Sequence, residues 1–162
     1  MRYLLVLSTM LLVGSCGHDH HRVREVKLSE EDLQQIADLP KLTAEQGHSL
    51  LSTHCYSCHS PKSGSHDDML APPLAGIKNR YQMSFPERAV FVHQFAQFVA
   101  QPSEEKAVMR GPVRRFGLMP PTTLSKDSIW ALAAYVYDNE LPVPNWFPEH
   151  FEEKHGASWR DN

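Results

Sequence analysis

Two thiols and an imidazole stand within five residues at Cys55-Tyr56-Ser57-Cys58-His59. Thiols at this spacing can each add across one vinyl group of the same porphyrin. The histidine that follows offers a ring nitrogen to the metal beneath it. The pattern reads as a covalent haem attachment site, with Cys55 and Cys58 as the linking residues and His59 as one axial ligand. A haem that carries electrons without binding gases needs a second axial ligand. Met119, in Arg115-Phe116-Gly117-Leu118-Met119-Pro120-Pro121, fits best. Its soft thioether favours Fe(II), so a His/Met pair raises the reduction potential. The two prolines fix φ and stiffen the loop that carries it. Met83, Met109, His66 and His93 have no such Gly/Pro frame.

The same residues admit other chemistry. If Met119 dissociates, the iron is open to a small gas or a peroxide. Cys55 and Cys58 alone resemble a thiol–disulfide pair, but that use needs βαβ patterning. No β alternation of useful length is present. The cluster His18-Asp19-His20-His21 reads as a polar spacer, because no further ligand group of fixed geometry lies near it in sequence.

The elements that must position these groups read as helices. Ser29 with Asp32 is a capping-box variant, followed by Leu33, Ile36 and Leu39 at helical spacing and stopped by Pro40. Thr43 with Gln46 is a second capping box. Gly47, Leu50, Leu51, Cys55 and Cys58 then recur at steps of three and four, which puts the sulfurs on the buried side of a helix. Ser84 with Glu87 predicts a further start, with an apolar face from Ala89 to Val99 and a stop at Pro102. Residues 103–110 predict a short helix ended by Gly111-Pro112. Ser125 predicts the last N-cap, with Leu124 and Ile129 as a hydrophobic staple, and Ile129, Leu132, Tyr135 and Val136 on one side.

The bulk numbers bound the rest. The chain has 162 residues and a formal net charge of −3 with both signs interspersed. That excludes a nucleic-acid binder, which needs clustered Lys and Arg. Three cysteines leave one beyond the haem pair, Cys16. Before it, residues 4–13 form an apolar run, too short for a bilayer span of about 20 residues but right for a secretory signal. The junction Val13-Gly14-Ser15-Cys16 resembles a bacterial lipoprotein signal, which implies cleavage before Cys16 and acyl chains on it. The expected organisation is a signal peptide at 1–15, a lipid-anchored tether at 16–28, a helical extension at 29–42, the haem domain at 43–140 and a tail at 141–162.

Residues 43–139 resemble the class I c-type cytochromes. The likeness rests on the helix leading into Cys55-x-x-Cys58-His59, on Pro72-Pro73-Leu74-Ala75-Gly76, on the Met119 loop, and on a final helix with Leu132 and Tyr135. It implies an all-α fold of four to five helices around one haem c. It implies that the first and last helices cross at Gly47 beside Tyr135. It gives the Pro72 carbonyl to His59 Nδ1, packs Leu74 on the haem face, and pairs Arg80 with a haem propionate, with Trp130 or Tyr81 as a further donor there. Arg110, Arg114 and Arg115 bracket the Met119 loop and suit an acidic redox partner. The function implied is a single-haem electron carrier, not an enzyme, lipid-anchored to a bacterial membrane on its extracytoplasmic side.

Overall fold

The computed structural model describes residues 25–159. The signal segment, Cys16 and His18-Asp19-His20-His21 lie outside them. Seven helices and no strand are present among the described residues. The fold is all-α, as the resemblance implied; five of the helices fall within residues 43–140, as expected, one lies in the expected extension at 29–42, and a seventh lies in the tail.

Helix α1 (Glu30–Ala37) starts where Ser29 predicts. The Asp32 amide donates to Ser29 Oγ at 3.1 Å, and the Ser29 amide donates back to Asp32 Oδ2 at 3.2 Å. Helix α2 (Ala44–His54) has the same reciprocal box between Thr43 and Gln46, at 3.2 and 2.9 Å. Each box satisfies two amides that a helix start would otherwise leave without partners. Upstream of α1, Val26 and Leu28 pack against the core, so the last residues of the expected tether belong to the folded body.

Helix α3 (Leu74–Ser84) and helix α4 (Arg88–Ala100) replace the single start expected at Ser84. Ser84 is buried and ends α3, and Glu87 precedes α4 without a side-chain cap bond. Pro86 is the reason. It disfavours helical backbone in the residue before it, and Phe85 accordingly sits at φ −141°, ψ 77°. The helix expected at 103–110 is absent. Those residues form turns, and helix α5 (Arg110–Phe116) instead begins with Gly111-Pro112 inside its first turn. Proline costs little there because a first-turn amide has no partner within the helix.

Helix α6 (Lys126–Asp138) is capped by Ser125, whose Oγ accepts the Ser128 amide at 3.2 Å. It packs chiefly on α4, and Phe91, Val92, Ala96, Ala133 and Val136 between and around them are fully buried. Phe91 stacks on Phe95 at 5.6 Å, and Tyr81 meets the Phe95 ring at 5.3 Å. Each such side chain contributes roughly 1.5–3 kcal/mol when withdrawn from water. The expected outer tail holds helix α7 (Phe147–His155), which seats Phe147 against Gly76 of α3.

Helices α2 and α6 cross closely at Gly47. A Cβ built at Gly47 would clash with ring carbons of Tyr135, and Tyr135 Oη donates to the Ala44 carbonyl at 3.3 Å. Overpacking a rigid contact costs about 1–3 kcal/mol. Gly47→Ala should therefore lower the unfolding free energy of the holoprotein by that amount, read as a lower urea midpoint at unchanged slope. An unshifted midpoint would mean that the two helices can part freely.

Candidate haem site

The five-residue motif is wound by the end of α2. The Cys55 and Tyr56 amides both donate to the Leu51 carbonyl at 2.9 Å, and the His59 amide donates to the Cys55 carbonyl at 2.9 Å. These turns bring Cys55, Cys58 and His59 onto one cavity of about 550 Å³. Apolar walls come from Leu51 of α2, Leu74 of α3, Phe95 and Val99 of α4, and Leu132 and Val136 of α6. Met119 lines the same cavity, as do Leu118, Pro120 and Pro121. Gly117 ends α5 at φ 82°, a backbone conformation that glycine reaches without strain. That turn redirects the chain from α5 into the methionine loop.

His59 is held in one tautomer. Its Nδ1 lies 2.8 Å from the Pro72 carbonyl oxygen, which can only accept, so Nδ1 carries the proton. Nε2 is left with its lone pair for a metal. Burial pushes the imidazole below the usual histidine range, and the Pro72 bond opposes that shift without reversing it. The ring is therefore neutral at pH 7, the form that ligates. Two thiols, a neutral imidazole, a thioether and apolar walls on one cavity are a donor set that suits a covalently held haem.

The thiols are unlike those of a redox pair. Cys55 is half-buried and Cys58 exposed. Burial pushes the Cys55 thiol up to about 11, whereas a catalytic Cys-x-x-Cys needs a lowered value.

Other expected residues divide between two cavities. Leu74 and Tyr81 line the haem cavity. Arg80 lines a second cavity of about 820 Å³, which adjoins the first across Pro72, Met109 and Phe116. Trp130 lines neither; it is buried with its ring edge-on to His93 at 5.5 Å. Arg110 and Arg114 are exposed. Arg115 turns onto the 60–69 loop, where Nη1 donates to His66 Nε2 at 2.7 Å and Nη2 reaches Asp67 Oδ1 at 3.4 Å. Sequence reasoning missed the partners on that side. His150 stacks on His66 at 4.4 Å, and Trp146 Nε1 donates to the Ser63 carbonyl at 3.0 Å. The 60–69 loop is stitched to the C-terminal helix and the residue before it.

The sequence pattern of the cytochrome c family matches residues 44–139, more than half of the chain. It belongs to the class I c-type cytochromes. The cofactor of this cytochrome is covalently bound haem c, and Cys55 and Cys58 are the two thiols on the cavity. An uncharacterized protein of Aquifex aeolicus (strain VF5) is 26% identical over 112 residues, covering 59% of this chain and 74% of its own length. No solved structure matches the chain significantly.

The two thiols should differ in reactivity in haem-free chain. At mildly alkaline pH iodoacetamide should modify Cys58 first, with Cys55 following only as pH nears its raised value of about 11. The unfolded thiol ionises near 9.0 and the folded one later. The folded state thus holds the extra proton between those values, and haem-free stability should fall as pH rises through that window. Equal alkylation rates, read by peptide mass, would contradict this burial.

Proposed function

We propose that this cytochrome is a membrane-tethered extracytoplasmic electron carrier with His59 and Met119 as the axial ligands of its single haem. The observation that carries the reading is the Pro72-locked imidazole of His59 facing the cavity that Cys55, Cys58 and Met119 also line. Haem c bound there supplies a one-electron Fe(III)/Fe(II) couple. The chain's own residues hold the site in one geometry. Pro72 fixes the imidazole ring, Pro120 and Pro121 stiffen the thioether's loop, and the α4–α6 walls exclude water. A site that moves little between charge states reorganises little. Leu74 would pack against haem held in this cavity, and Arg80, on the adjoining cavity, would pair with one of its carboxylates.

Encounter with a partner is favoured at the cavity rim. Leu70 and Leu118 line the cavity, yet are 68% and 40% exposed. Arg110 and Arg114, also exposed, supply positive charge that steers an acidic redox protein. Cytochrome c domains are typically extracytoplasmic, and no helix among the described residues is long and apolar enough to cross a membrane. Acylated Cys16 supplies the anchor in this reading, since two or more acyl chains hold firmly where one does not.

A redox titration with visible spectra tests the ligands. Met119→Ala should abolish the sulfur-to-iron charge-transfer band of the oxidised protein. It should also lower the midpoint potential by on the order of 0.1–0.2 V, a fraction of the roughly 0.8 V that axial ligands span. A wild-type reduced spectrum that shifts on adding CO would favour the gas-binding alternative. The anchor is tested separately. Cys16→Ser should move the protein from the membrane pellet to the soluble extract with its haem spectrum unchanged, and retention in the pellet would rule out lipid on Cys16.

A further inference from the structure

The second cavity, of about 820 Å³, falls within the roughly 300–1,000 Å³ of sites that take organic ligands. Much of it lies outside the family match of 44–139. Trp146, Phe147, His150, Phe151 and Lys154 come from α7 and the residue before it. Its charge is one-sided. Arg80, Arg110, Arg115 and Lys154 line it, and no carboxylate of the described residues does, although the whole chain carries −3. Arg110 and Lys154 are exposed and form no ion pair among the described residues. Arg80 is set aside, because the family resemblance gives it to a haem carboxylate.

The walls between these cations are aromatic, from Phe116, Trp146, Phe147 and Phe151. Asn79 adds a polar group to the lining. It lines the cavity at 8% exposure, and its carboxamide makes no hydrogen bond among the described residues. Its polar atoms are not sealed from solvent, so they are open to a polar atom of a ligand.

We propose that this cavity binds an organic anion with an aromatic body. The cations take its acidic group, the aromatic walls take its rings, and Asn79 hydrogen-bonds to it. The site goes beyond electron carriage and does not depend on which residues ligate the iron. The haem's own carboxylates are a rival source of the same charge, so the test uses holoprotein, in which they are already in place.

Isothermal titration of 8-anilinonaphthalene-1-sulfonate into the full-length holoprotein at low salt should give saturable one-to-one binding. Asn79→Asp, which sets a carboxylate against the sulfonate at nearly constant volume, should weaken it at least about tenfold. The double variant Arg110→Glu/Lys154→Glu changes only exposed positions and should weaken it at least about fivefold. It decides the matter where Asn79→Asp fails to fold. Neutral N-phenyl-1-naphthylamine should bind more weakly than the sulfonate. The proposal is overturned by the absence of saturable binding to holoprotein, by binding confined to a haem-free Cys55→Ser/Cys58→Ser chain, or by unchanged affinity in the double variant.

Discussion

The hydrogen bond from His59 Nδ1 to the Pro72 carbonyl, at 2.8 Å, ties the end of α2 to the start of α3 and decides the chemistry of the imidazole. A carbonyl cannot donate, so the bond leaves one ring nitrogen for a metal and fixes the plane in which it is offered. Its strength depends on everything that sets the distance between the two segments. Pro72 and Pro73 restrict the chain entering α3, and Leu74 and Ala75 are buried immediately after them. The Leu51 carbonyl, receiving two amides, sets where the motif leaves α2. A shift of α2 along its axis would carry His59 away from Pro72 and lengthen this bond.

What prevents that shift is the contact between Gly47 and Tyr135, because α6 is itself held by α4. The α4–α6 pairing is mainly apolar, and its ionic supplement is small. Arg88 grips Asp138 through two bonds of 2.8 and 2.7 Å, but both side chains are about a third or more exposed. A pair so wetted contributes at most about 1 kcal/mol. Fully buried Phe91, Val92 and Val136 outweigh it several-fold. The site therefore rests on hydrophobic packing that ends in one backbone-to-ring contact and one backbone-accepted hydrogen bond.

The sequence was most legible where a local rule has no tertiary rival. The boxes at Ser29 and Thr43 and the cap at Ser125 are read within four residues, and all form. The expectations at Ser84 and at 103–110 fail for a common reason. Each assigned a proline one fixed role, whereas Pro86 separates two helices and Pro112 sits inside the start of one. Helix α7 carried a readable signature: Pro148 in its first turn, Phe147 and Phe151 one turn apart, Lys154 and His155 in its last, and Gly156 at φ 65° beyond it. The sequence alone marks only a tail here, because the surface it packs on, Gly76 of α3, lies far away in sequence. Trp130 shows the converse limit. The resemblance gives it a place at the haem, whereas in the fold it packs against His93 of α4.

That placement of His93 also bears on how the domain is presented. His93 Nε2 lies 3.8 Å from Asp32 Oδ1 of α1, while Phe95 and Val99 of the same helix line the haem cavity. At roughly 100° per residue, His93 stands about 160° around α4 from Phe95. Helix α1 thus docks on the side of α4 turned away from the cavity, and upstream of it Val26 and Leu28 pack against the core. Residues 25–37 thus lie away from the rim where Leu70 and Leu118 are exposed, and under the proposed reading that rim is the part of the domain that meets a redox protein.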